Sequence, residues 1–268
     1  MSQLKEDHAF LIESVREGGA LALSYFHGGV KHWDKGYGDP VSEADHAVDD
    51  LLRQNLLDHR PQYGWLSEET EDDPKRLGCR DVWVVDPIDG TRAFIQQRAE
   101  FTVCAALVRD GRPVAAAVYN PAKQEFFDAV QGGGARLNGE SIQVTSIQNF
   151  EGARLLTGRN LFKNAGPLHK PADVTIHMVN SIAYRMCLVA GGRYDACISL
   201  SGKSDWDIAA AELILTEAGG VNTSSHGQNF VYNRSDPRHK SVISAGPALH
   251  AHVLEFLGTI KRPPGAKW

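Results

Sequence analysis

The sequence predicts a layered α+β or mixed α/β fold, on three observations. Apolar residues recur at helical spacing at both ends of the chain. A central block consists of short apolar strands closed by turn pairs. The two kinds of segment come in uneven runs, without the regular strand–helix alternation of a purely parallel sheet. A length of 268 residues allows one large domain or two intimate halves. The weakly patterned stretch that begins near Phe150 suggests a division into an N-terminal α+β half, residues 1–149, and a C-terminal α/β half, residues 150–268.

Taken in order, Leu4, Leu11, Ile12, Val15 and the run from Ala20 to Leu23 predict a long opening helix ending near Gly28. Lys31 to Pro40, punctuated by Gly, Asp and Pro, reads as a mobile loop. A second helix follows "PVSEAD" (40–45), with Ala44, Val48, Leu51, Leu52 and Leu56 on one face. Tyr63 to Leu66 reads as a short strand running into Ser67-Glu68-Glu69-Thr70, and "DVWVVD" (81–86) is the clearest strand in the chain. "FTVCAALVRDG", "RPVAAAVYNP" and "QEFFDAVQGGG" predict an antiparallel meander, with a further hairpin around Asn138-Gly139. Ser181 to Ala190 and Trp206 to Ala218 read as helices separated by the strand "RYDACISL". The strand "SVISAG" and a final helix starting at Pro247 close the chain.

Composition excludes several functions. With 42% hydrophobic residues the chain can bury a sizeable core, and its net charge of −5 gives no basis for a nucleic-acid polymer as partner. A small anionic substrate requires local cations or metals to overcome that charge. Four cysteines without CxxC pairing read as reduced thiols, and the acidic N-terminus without a long apolar run reads as neither signal peptide nor membrane span. These features point to a cytoplasmic protein with no membrane partner.

Candidate chemistry concentrates in "VWVVDPIDGTRAF" (82–94), where a buried strand ends in two carboxylates that repel one another. Asp-Pro and Asp-Gly are common turn pairs, but here Asp86, the carbonyl of Ile88 and Asp89 make a set of hard oxygens suited to Mg²⁺. At about 4 Å and an effective dielectric near 20, each carboxylate–dication attraction is on the order of 8 kcal/mol before desolvation, twice the carboxylate–carboxylate repulsion. Asp45 and Asp207 each lie three residues after a serine, Ser42 and Ser204, at the start of a helix. Singly, each reads as a helix cap. Glu68 and Glu69 singly read as a solvated loop, and Lys35 as a solvated cation within reach of the acids. His169, His177, His226 and His250 are scattered and do not suggest zinc.

Together, "PVSEAD", "WLSEET" (65–70), "WVVDPIDGTRAF" (83–94) and "DWDIAAAELILTEAGG" (205–220) resemble the inositol monophosphatase family of Mg²⁺-dependent phosphatases. That resemblance implies an αβαβα sandwich with its site between two halves. Glu68, Asp86, Ile88 through its carbonyl, Asp89 and Asp207 become metal ligands for two or three Mg²⁺. Thr91 and Asp45 become the pair that acts on the attacking water, and Gly90 and Thr91 bind phosphate. A lithium-sensitive homodimer acting on a small phosphorylated metabolite is also implied. Inositol-specific members carry a glutamate seven positions before the last metal-binding aspartate, whereas this chain has Leu200. "KSDWD" and the proline of "DPVSEAD" look closer to the bisphosphate-nucleotidase and histidinol-phosphatase branches. Lys203 and Arg185 are then candidates for a second phosphate, against the simpler reading of surface cations. A regulatory protein binding RNA machinery on the same scaffold is the non-enzymatic alternative. The full set of acids and the negative net charge weigh against it.

Overall fold

The computed structural model describes residues 3–36, 40–158, 161–162 and 173–260. Helix α1 (Gln3–Gly28) leads to a two-stranded ribbon, β1 (His32–Asp34) with β2 (Pro40–Ser42), and then to α2 (Glu43–His59). The segment expected as a mobile loop thus contains ribbon strands on either side of residues 37–39, which lie outside the described residues. Strands β3 (Gly64–Ser67) and β4 (Asp81–Asp89) follow, then the short helix α3 (Thr91–Ile95). The meander comprises β5 (Thr102–Arg109), β6 (Arg112–Asn120), β7 (Glu125–Val130), β8 (Ala135–Leu137) and β9 (Glu140–Ser141). Strands β3 to β9 form one sheet in sequence order, antiparallel except for the parallel β3–β4 pair. Its hairpins turn where Asp110-Gly111 and Asn138-Gly139 adopt positive φ, the conformation two-residue hairpin turns require.

A second sheet holds β10 (Arg154–Thr157), β11 (Thr175–His177), β12 (Ala196–Ser199), β14 (Val221–Thr223) and β16 (Val242–Ala245), in the order 11-10-12-16-14. The remaining strands, β13 (Lys203–Ser204) and β15 (Arg238–His239), pair only with each other. Helices α4 (Ile182–Ala190), α5 (Asp205–Glu217) and α6 (Pro247–Thr259) complete the chain.

Alternation along the strands builds the layers. Trp83 and Val85 of β4 face the core made by α1 and α2, while Val82 and Val84 face the core made by α4 and α5. In the second sheet, Leu156, Cys197 and Val242 point back toward α4 and α5, and Leu155, Ile198 and Ile243 pack toward α6. A strand covered on both faces needs apolar residues at every position, which is why "VWVV" has no polar alternation. The layers run helix, sheet, helix, sheet, helix, the αβαβα arrangement. No described helix is long and apolar enough to cross a membrane.

Candidate metal centre and active site

The acids converge where β4 breaks register. Opposite β5, Asp86 pairs with Cys104 but Asp89 pairs with Thr102, so one extra residue is inserted between them. Residues three apart on a regular strand face opposite ways. The bulge turns Asp89 back, and ligand oxygens of Asp86, Asp89 and Asp207 all lie within 4.8 Å of one another. Asp86 is 1% exposed and Asp89 6%. The Ile88 amide donates to Asp86 Oδ1 (3.0 Å), whereas Asp86 Oδ2 is buried with no hydrogen-bond partner.

Three helices of nine or more residues begin at this cluster, each offering the positive end of its dipole. Helix α2 brings Asp45, whose Oδ2 accepts from the Ser42 amide (2.9 Å) and hydroxyl (2.6 Å) in a capping box. From α4 the Ala183 amide donates to Asp89 Oδ2 (2.7 Å), joined by the hydroxyl of its cap residue Ser181 (2.6 Å). Helix α5 brings Asp207, whose Oδ2 accepts from the Ser204 amide (2.5 Å) in a second capping box. Asp45 and Asp207 are therefore helix caps that also stand beside Asp86, since one oxygen of each serves the helix.

Thr91 opens α3 directly after the bulge. Its Oγ1 lies 3.1 Å from Asp45 Oδ1 and 3.0 Å from the Ile88 carbonyl, either of which its hydroxyl can serve. Gly90 before it has φ of +98°, and a Cβ there would stand 2.8 Å from the Glu100 carbonyl, so only glycine fits.

Glu68 follows the end of β3. Its side chain is 23% exposed and pairs with Lys35 Nζ at 3.2 Å, while the nearly buried Glu69 pairs with the same ammonium at 2.7 Å. This corrects both simple readings: the two glutamates are not a merely solvated loop, and Lys35, though partly exposed, is committed to an ion pair with both. Glu68 is not among the three carboxylates within 4.8 Å, yet its charge acts strongly on Asp86.

Electrostatics mark the cluster as a place that wants cations. Burial raises the Asp86 carboxyl well above its usual range, and the charges of Glu68, Asp89, Asp207 and Asp45 raise it further. Burial also raises Asp89, against the hydrogen bonds from Ser181 and Ala183, and raises Asp207, with Asp89 adding to it. Asp45 is pushed up to about 6, chiefly by burial. Glu68 is raised by burial, with Lys35 opposing and Asp207 adding. Metal ions are favoured by such a set: hard oxygens, an unpaired buried carboxylate oxygen and mutual repulsion that a dication removes.

Arg185 and Lys203 both temper the carboxyls of Asp89 and Asp207, so their charges reach the cluster from its rim. Lys203 Nζ donates to the Gly202 carbonyl (3.0 Å), and Arg185 Nε to the Ser181 carbonyl (3.3 Å). Leu200 packs against the apolar core between the second sheet and α6. Among the histidines set aside, His169 lies outside the described residues, and none of the others belongs to the acid cluster. Ser181 was not anticipated as a site residue, although a serine before an apolar helix is a readable cap signal.

A family model described as the inositol monophosphatase family matches residues 3–261. An inositol monophosphatase from Dictyostelium discoideum is 32% identical over 264 residues, covering 94% of each chain. A 3'(2'),5'-bisphosphate nucleotidase CysQ from Aggregatibacter actinomycetemcomitans is 31% identical over 234 residues, 84% of this chain and 87% of its own. Among solved structures, an IMPase from Thermotoga maritima aligns with a TM-score of 0.79 at 26% identity, over 93% of this chain and 96% of that one. With helix N-termini and carboxylates gathered at one bulge, and with likeness running the length of the chain, the protein belongs to the inositol monophosphatase family of phosphatases, which hydrolyse phosphomonoesters.

Proposed function

We propose that the protein is a Mg²⁺-dependent phosphomonoester hydrolase in which Glu68, Asp86, the Ile88 carbonyl, Asp89 and Asp207 hold two or three Mg²⁺. The observation that carries this reading is Asp86 Oδ2, a carboxylate oxygen buried without a partner beside two further carboxylates. Ions bound there supply Lewis-acid activation of water and neutralise charge on the phosphate and the leaving oxygen, in a reaction that is otherwise among the slowest known. The chain's own groups do the rest. Thr91 orients the attacking water, and Asp45, hydrogen-bonded to it, takes the proton. A carboxyl held near 6 is a better base at neutral pH than an ordinary aspartate. Backbone N–H groups of Gly90 and Thr91 meet the phosphate at the start of α3, and Glu68 assists in orienting the water.

For the substrate we favour a 3'(2'),5'-bisphosphate nucleotide such as 3'-phosphoadenosine 5'-phosphate. Two cations, Arg185 and Lys203, stand at the rim and suit a second phosphate, while the apolar Leu200 offers nothing to a sugar hydroxyl. The likeness to a CysQ nucleotidase supports the same choice. Inositol 1-phosphate is the competing reading, on the likeness to the Dictyostelium inositol monophosphatase, with histidinol phosphate next. In this reading the enzyme is a lithium-sensitive cytoplasmic homodimer. Phosphate release should be measured on all three substrates, with and without Mg²⁺, for the wild type and Asp86→Asn. We expect metal-dependent turnover, highest kcat/KM on the bisphosphate, and at least a ~100-fold loss in the variant. Equal activity in wild type and variant would refute the assigned role of Asp86. A preference for inositol 1-phosphate would refute only the substrate choice.

A further inference from the structure

We infer that Arg76 is a positioning residue for the metal centre. It clamps the segment that carries Glu68 to the segment that fixes the N-terminal turn carrying Asp207. The inference rests on the reading above of Glu68 and Asp207 as metal ligands.

The Glu68 amide still donates to the Val85 carbonyl of β4 (3.3 Å), but past it the chain has no strand until β4, so the segment is otherwise held by side-chain anchors. Toward the first half, Ser67 and Thr70 both donate hydroxyl hydrogen bonds to Asp49 of α2. The other anchor is Asp72, whose two oxygens accept from Arg76 Nε (2.6 Å) and Nη2 (2.8 Å). Arg76 is 2% exposed and does not stop there. Its Nη1 donates to Asn233 Oδ1 (2.8 Å) and the Arg234 carbonyl (3.1 Å), and its Nη2 reaches that carbonyl too (3.2 Å). All five guanidinium N–H groups therefore have acceptors, a fork that only arginine presents. Asn233 answers with a bond from Nδ2 to the Arg76 carbonyl (3.1 Å).

From Asn233 the connection continues to the metal centre. Its backbone N–H donates to Asp205 Oδ2 (2.8 Å), and Asp205 Oδ1 lies 2.7 Å from His239 Nε2. The Asp205 amide donates to the Pro237 carbonyl (2.9 Å). Asp205 is the first residue of α5 and fully buried, two positions before Asp207. Glu68 and Asp207 come from opposite halves of the chain, and Arg76 joins their supporting segments across 157 residues of sequence. Groups bonded directly to metal ligands typically contribute about 10–100-fold to metal affinity, and Arg76, acting one step further out, belongs at the low end of that range.

The test is calorimetric titration of metal-free protein with Mn²⁺, together with melting temperatures and the Mg²⁺ dependence of phosphate release. Arg76→Lys keeps the charge and loses the fork. We expect it to weaken Mn²⁺ binding about tenfold and raise the Mg²⁺ concentration for half-activity similarly, with kcat at saturating Mg²⁺ within about threefold of wild type. Arg154→Lys, which disturbs an ion pair with Asp195 in the second sheet, is the control for general destabilisation and should leave metal affinity unchanged. If Arg76→Lys does not fold, Asn233→Gly provides the same reading, because it removes the amide and suits the positive φ of that position. Lower melting temperature with unchanged Mn²⁺ affinity would overturn the inference, reducing Arg76 to a structural cation. Absence of Mn²⁺ binding by the wild type would instead sink the reading of the site itself, and this inference with it.

Discussion

Asp86 sits where the chain has gathered more negative charge than its surroundings stabilise. Two further carboxylates stand within 4.8 Å, and one of its own oxygens has no partner. In metal-free protein this is a source of instability. Asp86→Asn should therefore melt above the metal-free wild type, by about 1 kcal/mol or more, which is ~2–4 °C per kcal/mol at this size. Saturating Mg²⁺ should reverse the order, since a ligand present at 100 times its Kd stabilises by about 2.7 kcal/mol. Thermal melts of both proteins with chelator and with Mg²⁺ check this. A variant no more stable than wild type in chelator would contradict the repulsion argued here. Asp45 and Asp207 behave differently at this scale, because part of their carboxylate is occupied in capping boxes.

Among the elements, the bulge in β4 and the glycine after it do most to aim the site. Gly90→Ala forces a Cβ to within 2.8 Å of the Glu100 carbonyl at a φ of +98°. We expect a loss of roughly 1–3 kcal/mol in stability and a marked fall in activity, because Thr91 moves with the turn. Denaturant unfolding and phosphate release measure both, and wild-type values would exclude the strain. The same elements show what was legible. The apolar run of β4, the Asp-Gly and Asn-Gly hairpins and the helices α4 and α5 all carry periodicity or turn chemistry that can be read directly. Strands β13 and β15 are two residues each, too short for any period, and their pairing depends on residues 34 and 36 positions apart. Strand β10 is short and lies inside the weakly patterned stretch that begins near Phe150, and the equally brief β11 follows it. In the site, Asp86, Asp89 and the caps were readable as oxygen donors in order along the chain. That one carboxylate has both roles came only from the family resemblance, because capping chemistry alone explains the serine and the aspartate completely. The pairing of Lys35 with Glu68 and Glu69 was not legible, since it depends on where the ribbon β1–β2 places the lysine.

Across the whole molecule, α5 forms the middle layer together with α4, and it carries a polar group the site does not use. The Glu212 carboxyl is buried beside the Tyr232 hydroxyl, its one close polar neighbour, and neither makes a hydrogen bond of good geometry. Burial pushes the Glu212 carboxyl up to about 7, with the Tyr232 hydroxyl and then Arg112 opposing. A folded-state value above the unfolded one means that the group's contribution to stability is complete below pH ~4.5 and is lost as pH rises through about 7. Glu212→Gln should then match wild type at pH 5 and exceed it at pH 8.5, by on the order of 1–3 kcal/mol. A gap of equal size at both pH values would contradict the assignment. The two capping boxes have a consequence for descent. A copy of this gene that drifted away from catalysis would remain under pressure to keep Asp45 and Asp207, because its helices still have to begin. The first acid such a pseudoenzyme sheds should be Asp86, because an asparagine there could still accept from the Ile88 amide without the buried charge, so its identity is the better marker for telling working relatives from retired ones.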